Sequence, residues 1–129
     1  MHGAPRYKAR IVMKGFQQKK GVDFDEIFAS VVKMTSIRTM LSIATNMDLE
    51  VEQFDIKTNF LHGNLEEEIY MQYPEGFEEK GKEILVCRLR KSMYGLKQAP
   101  RQWYRKFESF IMDHGFSKTQ ADHCVFVKK

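Results

Sequence analysis

Apolar residues recur every three to four positions in two stretches of the chain, which is the spacing that one face of an α-helix requires. The first stretch covers about residues 35–47, and Thr35 or Ser36 can cap it. The second lies between Pro100, which suits a first helical position, and Gly115, which suits a C-terminal cap. The sequence therefore predicts two amphipathic helices.

Shorter stretches have the composition of β-strands, and they lie at residues 7–16, 49–56, 68–72, 84–89 and 124–127. In the second stretch, Leu49 and Val51 alternate with acids, and the alternation then slips by one residue before Phe54 and Ile56. This pattern indicates a strand that becomes buried toward its end, with a bulge. Glycine and proline within residues 73–83 predict a loop. The expected fold class is α+β, a mostly antiparallel sheet packed by two main helices.

Composition narrows the protein class. A length of 129 residues fits one domain or part of one, and 43% apolar residues with 10 phenylalanines favour a packed globule. No apolar run approaches the roughly 20 residues that cross a membrane, and residues 1–10 lack the apolar core of a signal peptide. Cys87 and Cys124 are therefore expected to be free thiols in a reducing, intracellular compartment.

Charge is segregated along the chain, although the net charge is only +4. Residues 1–20 hold six Lys or Arg and no acid, residues 48–83 hold eleven acids against three Lys, and residues 88–106 hold seven Lys or Arg and no acid. The basic segments would suit a polyanion, and the acidic segment would suit a divalent cation. Solvated faces of an ordinary protein explain the same pattern, so charge alone does not choose between these readings.

Three longer stretches carry a family resemblance. They read KARIVMKGFQQKKGVDFDEIF at 8–28, QFDIKTNFLHGNLEEEIYM at 53–71 with PEGF at 74–77, and SMYGLKQAPRQWY at 92–104 with ADHCVFVK at 121–128. In content, order and spacing they resemble the copia-type reverse transcriptases of LTR-retrotransposon Pol polyproteins. The resemblance covers nearly the whole chain. It implies one partial reverse transcriptase domain, with residues 1–48 fingers-like and residues 49–129 an incomplete palm with further fingers elements.

Asp55 is the first candidate for catalysis. A carboxylate at the end of a buried strand is costly without a charged partner, and hard divalent cations prefer oxygen ligands. From the residues alone, a turn aspartate before the polar residues 57–59 explains the position equally well. The resemblance implies that Asp55 is a catalytic metal ligand and that Ile56 lends its backbone carbonyl, with two Mg²⁺ ions in the complete enzyme.

The resemblance also implies a nucleotide site. Phe60 would exclude a ribose 2′-hydroxyl by packing under the sugar, although its pattern also fits a core residue. Tyr94 would flank the pocket of the 3′-hydroxyl, and Gly95 would let the backbone approach nucleotide or template. Of Lys8 and Arg10, which share one face of the first predicted strand, Arg10 is the better candidate to bind the triphosphate, because a guanidinium can bind phosphate oxygens bidentately. Asn59 departs from the usual alanine, which puts full activity in doubt.

Four basic residues are expected to contact nucleic acid, namely Lys8, Lys97, Arg101 and Arg105. A turn followed by a basic helix surface is the alternative interpretation of the last three. The implied partners are an RNA or DNA template–primer, deoxynucleotide triphosphates and the rest of the Pol polyprotein, with no membrane. The implied location is intracellular, in a cytoplasmic particle or the nucleus.

The second acidic motif of the family is a Tyr-x-Asp-Asp hairpin, expected after the strand at 124–127. No Asp-Asp pair occurs in the sequence, and the acidic run at 66–68 fits a solvated face better than a metal site. We therefore expect a chain truncated before that hairpin, which does not polymerise DNA by itself. Two hypotheses remain, namely part of an RNA-directed DNA polymerase or a catalytically dead retroelement remnant that at most binds nucleic acid.

Overall fold

The computed structural model describes residues 5–78, 80–82 and 84–128, and Glu79 and Glu83 of the predicted loop lie outside them. Its helices are α1 (Met34–Asn46) and α2 (Ala99–Asp113), and its strands are β1 (Tyr70–Gln72), β2 (Val86–Arg88), β3 (Ser117–Lys118) and β4 (Phe126–Val127). β1 pairs with β2 and β3 with β4, both antiparallel, in two separate sheets. Short 3₁₀ turns lie at Gly15–Gln17 and Asn59–His62. The α+β class is confirmed.

Helix α2 ends as predicted just before Gly115, and it begins at Ala99, one residue before the predicted start. Pro100 lies in its first turn, where the missing N–H costs no helical hydrogen bond. Past its end, Gly115 has φ +85° and donates its N–H to the Met112 carbonyl at 2.9 Å. Phe116 donates its N–H to the Ile111 carbonyl at 3.3 Å. This pair of bonds is a Schellman motif, and it satisfies two of the carbonyls that the helix end leaves without partners.

Helix α1 is confirmed, but its predicted caps are wrong. The N-cap residue is Lys33, so Thr35 and Ser36 lie inside the helix. The capping oxygen comes from a distant residue, Asp122, whose Oδ2 accepts the Lys33 N–H at 2.8 Å and the Ser36 hydroxyl at 2.7 Å. The prediction failed because a carboxylate almost ninety residues away does what an adjacent hydroxyl usually does.

The core is small and lies between β1–β2 and the start of α2. Its fully buried apolar residues are Ile69, Leu96 and Ala99, and it is flanked by the partly buried Met13, Phe60, Leu65, Leu89 and Met93. Gly63 lets the neighbouring segment approach α2, because a Cβ on it would lie 2.9 Å from the Gln102 Cβ. The core therefore joins the segment around Phe60 to the segment that leads into α2.

Two predicted strands do not form. Residues 7–14 and 49–56 are irregular, and Val51 and Phe54 are 63% and 80% exposed. A strand requires a partner for its backbone N–H and C=O groups, and none of residues 50–56 bonds its backbone to another described residue. The expected strand ending at Asp55 is therefore wrong for this chain.

The expected common sheet is also wrong. The strands predicted at 84–89 and 124–127 form over shorter ranges, as β2 and β4, but they belong to different sheets. The strand predicted at 68–72 forms as β1, the partner of β2. β3, the partner of β4, was not predicted, because a two-residue strand such as Ser117–Lys118 is too short for alternation to register.

Candidate functional site

Three of the predicted nucleotide-binding side chains lie together. The Arg10 guanidinium carbon lies 5.2 Å from the centroid of the Tyr94 ring, a cation–π contact. The Tyr94 ring in turn meets the Phe60 ring edge to face, with 5.5 Å between centroids and an interplanar angle of 74°. A guanidinium in a cation–π contact still has N–H donors with which it can bind an anion. We name these residues the Arg10–Tyr94–Phe60 cluster.

Gly95 allows the close backbone approach on which this cluster depends. Its φ is +92°, and a Cβ on it would lie 2.1 Å from the Met13 carbonyl oxygen and 2.8 Å from the Met13 nitrogen. Met13 donates its N–H to the Tyr94 carbonyl at 2.7 Å, and a Cβ on Gly15 would lie 1.9 Å from the Gly95 oxygen. The close approach in this structure is to the chain's own backbone. Approach of a nucleotide or template to Gly95 stays a prediction.

Phe60 sits on a tight turn that fixes its direction. Thr58, just before the turn, has a left-handed backbone with φ 56°, and the Asn59 side-chain oxygen accepts the Phe60 N–H at 2.9 Å. The Phe60 ring is half-buried, and it packs against the core as well as against Tyr94. The packing supports the interpretation of Phe60 as a core residue, and its exclusion of a 2′-hydroxyl stays a prediction.

Asp55 lies on the exposed irregular segment, five residues before Phe60. Among the described residues, no group of three or more His, Cys, Asp or Glu could hold a metal ion. Mg²⁺ binds through one or two carboxylates together with water and substrate phosphates. The Asp55 carboxylate and the Ile56 carbonyl are oxygen ligands of the kind that Mg²⁺ accepts, but two such groups do not make a complete site, and metal binding here stays a prediction.

Three of the four predicted nucleic-acid contacts are engaged within the chain. Lys97 donates its ammonium to the Gln18 carbonyl at 3.1 Å, and Arg101 donates to the Phe28 carbonyl at 3.3 Å. Arg105 pairs with Glu66, one residue of the acidic run, while Lys8 is exposed. An exposed ion pair contributes only about 0–1 kcal/mol, so Arg105 could exchange Glu66 for a phosphate at little cost.

The acidic run at 66–68 is only partly a solvated face. Glu68 lies 3.4 Å from the Arg88 guanidinium, so it too has a cationic neighbour. Glu67 is half-buried, and its Oε2 has no hydrogen-bond partner among the described residues.

Two polar residues that the sequence pattern does not single out organise this region. Gln98 is fully buried, and its amide bonds both to the Gln18 side chain and to the Asp23 carbonyl. A glutamine in a basic, turn-rich stretch has the pattern of a surface residue. The signal that could have found it is its position inside the motif stretch at 92–104.

Asp122 is the second of these polar residues. Hydrogen bonds from the Ser36 hydroxyl and from the backbone N–H groups of Lys33 and Cys124 lower the pKa of its carboxyl from 3.8 to about 2. Lys33 also donates its ammonium to the Ala121 carbonyl at 2.7 Å. Asp122 therefore ties the start of α1 to the loop between β3 and β4.

Comparison with known proteins decides the family. A family model described as "Reverse transcriptase (RNA-dependent DNA polymerase)" matches residues 2–129. The chain belongs to the reverse transcriptase family. The resemblance that its three motif stretches carry is confirmed.

Three relatives of this chain are Pol polyproteins of plant transposons. The chain is 68% identical over 124 residues to the Retrovirus-related Pol polyprotein from transposon TNT 1-94 of Nicotiana tabacum. The aligned region covers 96% of this chain and 9% of the relative. It is 45% and 43% identical over 122 residues to the corresponding polyproteins from transposons RE2 and RE1 of Arabidopsis thaliana, each covering 95% of this chain and 8% of the relative. The chain thus spans less than a tenth of these relatives. No solved structure matches it.

No helix in the described part of the chain is long and apolar enough to cross a membrane.

Proposed function

We propose that this chain supplies the nucleotide-binding part of an RNA-directed DNA polymerase of a copia-type retrotransposon. Residues 1–48 would belong to the fingers and residues 49–129 to a palm with further fingers elements. The observation that carries the proposal is the Arg10–Tyr94–Phe60 cluster, because its members come from three motif stretches that are far apart in sequence. Membership of the reverse transcriptase family supports the reaction class.

The proposed reaction is attack of a primer 3′-hydroxyl on the α-phosphate of a deoxynucleotide, directed by an RNA or DNA template. Arg10 would bind the triphosphate through its in-plane N–H groups, and the Tyr94 ring would keep the guanidinium in place. Tyr94 would also flank the 3′-hydroxyl pocket, and Phe60 would leave no space for a 2′-hydroxyl. The cluster would thus position and select the nucleotide.

Asp55 and Ile56 are the residues that would hold metal. Two Mg²⁺ ions would supply charge stabilisation and activation of the attacking hydroxyl. This chain would contribute one carboxylate and one neutral carbonyl, and it contains no Asp-Asp pair. One carboxylate holds two dications poorly against their mutual repulsion, so we expect the 129 residues alone not to polymerise DNA.

Template and primer would lie along the four basic side chains that are predicted to contact nucleic acid. Lys8, Lys97, Arg101 and Arg105 would contact phosphates, after the last three exchange their present partners within the chain. The rest of a Pol polyprotein would supply the remaining parts of the enzyme, in an intracellular particle or the nucleus.

The test is a chimaera in which this chain replaces the matching residues of the Nicotiana tabacum polyprotein, with the unaltered tobacco protein as reference. We expect Mg²⁺-dependent primer extension on an RNA template, and we expect Asp55→Asn to abolish it. Asp48→Asn is the matched control, because it removes the same charge from a nearby exposed site and asparagine tolerates the left-handed backbone there. Extension by the Asp55→Asn chimaera at the parent rate would refute the proposal.

Asn59, which stands where the family usually has alanine, favours a second candidate, a catalytically dead retroelement remnant that at most binds nucleic acid. Such a remnant would bind RNA or DNA, and the chimaera would not extend a primer under conditions in which the tobacco protein does. Extension by the chimaera excludes this candidate as a description of these residues.

A further inference from the structure

Three hydrogen bonds run in one direction between two separate parts of the chain. Lys97 donates its backbone N–H to the Gln18 Oε1 at 2.8 Å, and Gln18 donates its Nε2 to the Gln98 Oε1 at 3.0 Å. Gln98 then donates its own Nε2 to the Asp23 carbonyl at 2.9 Å. The first group is a backbone N–H, which can only donate, and the last is a carbonyl, which can only accept. Each amide therefore has one allowed orientation.

These bonds are buried at their centre. Gln98 is 0% exposed and Gln18 is half-buried, so a lost bond would leave an amide group without water to replace it. The Gln98 amide nitrogen and oxygen are both engaged by protein groups. A direct contact between this side chain and a nucleotide is therefore not its role in this structure.

The amide pair fixes a turn formed by residues 18–24. Gln18 is held a second time, because its carbonyl accepts the Lys97 ammonium at 3.1 Å. Across the turn, Gly21 donates its N–H to the Phe24 carbonyl at 2.8 Å, and the Lys97 ammonium lies 4.9 Å from the centroid of the Phe24 ring. Residues 97–98 thus hold both ends of the turn.

The same turn continues into the segment that carries Arg10. Met13 is bonded to Tyr94 through its backbone N–H, and Gly15 lies against Gly95. In the described chain, residues 10–24 contain no helix or strand beyond the 3₁₀ turn at Gly15–Gln17. Their position therefore depends on the backbone contacts at residues 13–15, on the contacts of the Lys97 ammonium with Gln18 and Phe24, and on the amide pair.

We propose that Gln18 and Gln98 are positioning residues, whose buried amide pair holds residues 10–24 against residues 94–98 and so keeps the Arg10 guanidinium over Tyr94. The proposal rests on the proposed function, because its consequence is the affinity of Arg10 for a nucleotide triphosphate. Without the pair, residues 18–24 lose their hydrogen bonds to the buried Gln98 side chain, and Arg10 spends less time in the geometry that binds phosphate.

The kinetic test uses Gln98→Met in the chimaera, because methionine keeps the volume of glutamine and removes both hydrogen bonds. We expect KM for deoxynucleotide to rise about tenfold, with kcat changed less than about twofold. Because Gln98 acts through Arg10, Gln98→Met should add almost nothing to KM in an Arg10→Met background. Gln72→Met, on exposed β1, is the control for the substitution itself.

Additive effects in the double variant, or an unchanged KM in the single variant, would overturn the proposal. If Gln98→Met does not fold, Gln18→Met carries the same test, because it breaks the pair from its less buried side. An inactive parent chimaera would count against the proposed function, and amide hydrogen exchange on the 129-residue chain then decides the positioning role.

In that measurement, Gln98→Met should speed exchange of the Lys97 and Gly21 amides. The Leu89 amide, bonded to the Ile69 carbonyl in the core, should keep its rate. Equal acceleration at Leu89 would show general destabilisation, and no acceleration at Lys97 would show that the pair holds nothing. Either result overturns the proposal.

Discussion

Replacing Gly95 by alanine would place a methyl group where the Met13 backbone lies. The new Cβ would be 2.1 Å from the Met13 carbonyl oxygen, 2.8 Å from the Met13 nitrogen and 2.9 Å from a Val12 methyl. Two of these three atoms are backbone, so no side-chain rotation can relieve the overlap. The Met13 segment would have to move by about 1 Å to reach an ordinary contact distance.

The expected loss of stability has three parts. An alanine at φ +92° costs about 1–2 kcal/mol for its left-handed backbone. Moving Met13 breaks its hydrogen bond to Tyr94, which contributes about 0.5–1.5 kcal/mol. Repacking around an added methyl typically costs about 1–3 kcal/mol. We therefore expect Gly95→Ala to lower the free energy of unfolding by about 2.5–6.5 kcal/mol, a large share of the roughly 5–15 kcal/mol of a typical domain.

Gly76 provides the matched control. Its φ is +83°, and a Cβ on it would meet nothing within 4 Å. Gly76→Ala should therefore lose only the conformational part, about 1–2 kcal/mol. The difference between the two variants measures the close approach between Gly95 and Met13.

The assay is urea unfolding of the 129-residue chain and both variants, followed by the fluorescence of Trp103, its single tryptophan. Unfolding midpoints are comparable only if the three proteins share the same dependence on urea. If Gly95→Ala is no more destabilising than Gly76→Ala, the packing of Gly95 on Met13 is not what holds the first motif stretch in place.

Three further outcomes are expected. In the chimaera, Phe60→Val should raise ribonucleotide incorporation, because it removes the ring that blocks a 2′-hydroxyl. Phe77→Val, at an exposed site, is the control and should leave incorporation unchanged. Unchanged discrimination in Phe60→Val would make Phe60 a core residue only. Binding of RNA or DNA to the chain, measured by fluorescence anisotropy, should be weak, independent of sequence and steeply reduced by salt; a flat salt dependence would exclude phosphate contacts as its cause. Because the folded-state pKa of Asp122 is depressed from 3.8 to about 2, its contribution to stability is present above about pH 4 and lost as pH falls to about 2. Urea unfolding across that range should show the loss in the parent and a smaller one in Asp122→Asn, and equal pH profiles would contradict this assignment.

The parts of the fold that can be predicted from the sequence are those whose hydrogen bonds and caps come from residues close by in the chain. Helix α2 was predicted with its end and, to within one residue, its start, because Pro100 and Gly115 act locally. The cap of α1 could not be predicted, because its oxygen belongs to Asp122 and arrives only when the β3–β4 region packs beside the helix. Propensity and spacing register local preferences, whereas a contact between distant residues is set by packing.

The candidate site also has features that the sequence predicts and features that depend on contacts between distant residues. The residue types of the Arg10–Tyr94–Phe60 cluster followed from the resemblance, and the structure brings them together. How they meet did not follow, because the cause is a backbone contact at Gly95 and a buried amide pair at Gln98. Nothing in hydrophobic spacing distinguishes a glycine that packs on backbone from one that only turns the chain.

Residues 49–56 show what an alternating hydrophobic pattern can predict and what it cannot. Their alternation, and its slip before Phe54, describe a segment that favours an extended backbone with apolar side chains covered. In this chain Val51, Phe54 and Ile56 are all exposed, and the backbone of the segment makes no ladder with any described residue. The pattern therefore indicates a segment that needs a partner strand, and no described residue supplies one. Asp55 lies on this segment, whose backbone has no partner to fix it. A carboxylate holds a metal in a fixed geometry only when its backbone is fixed first.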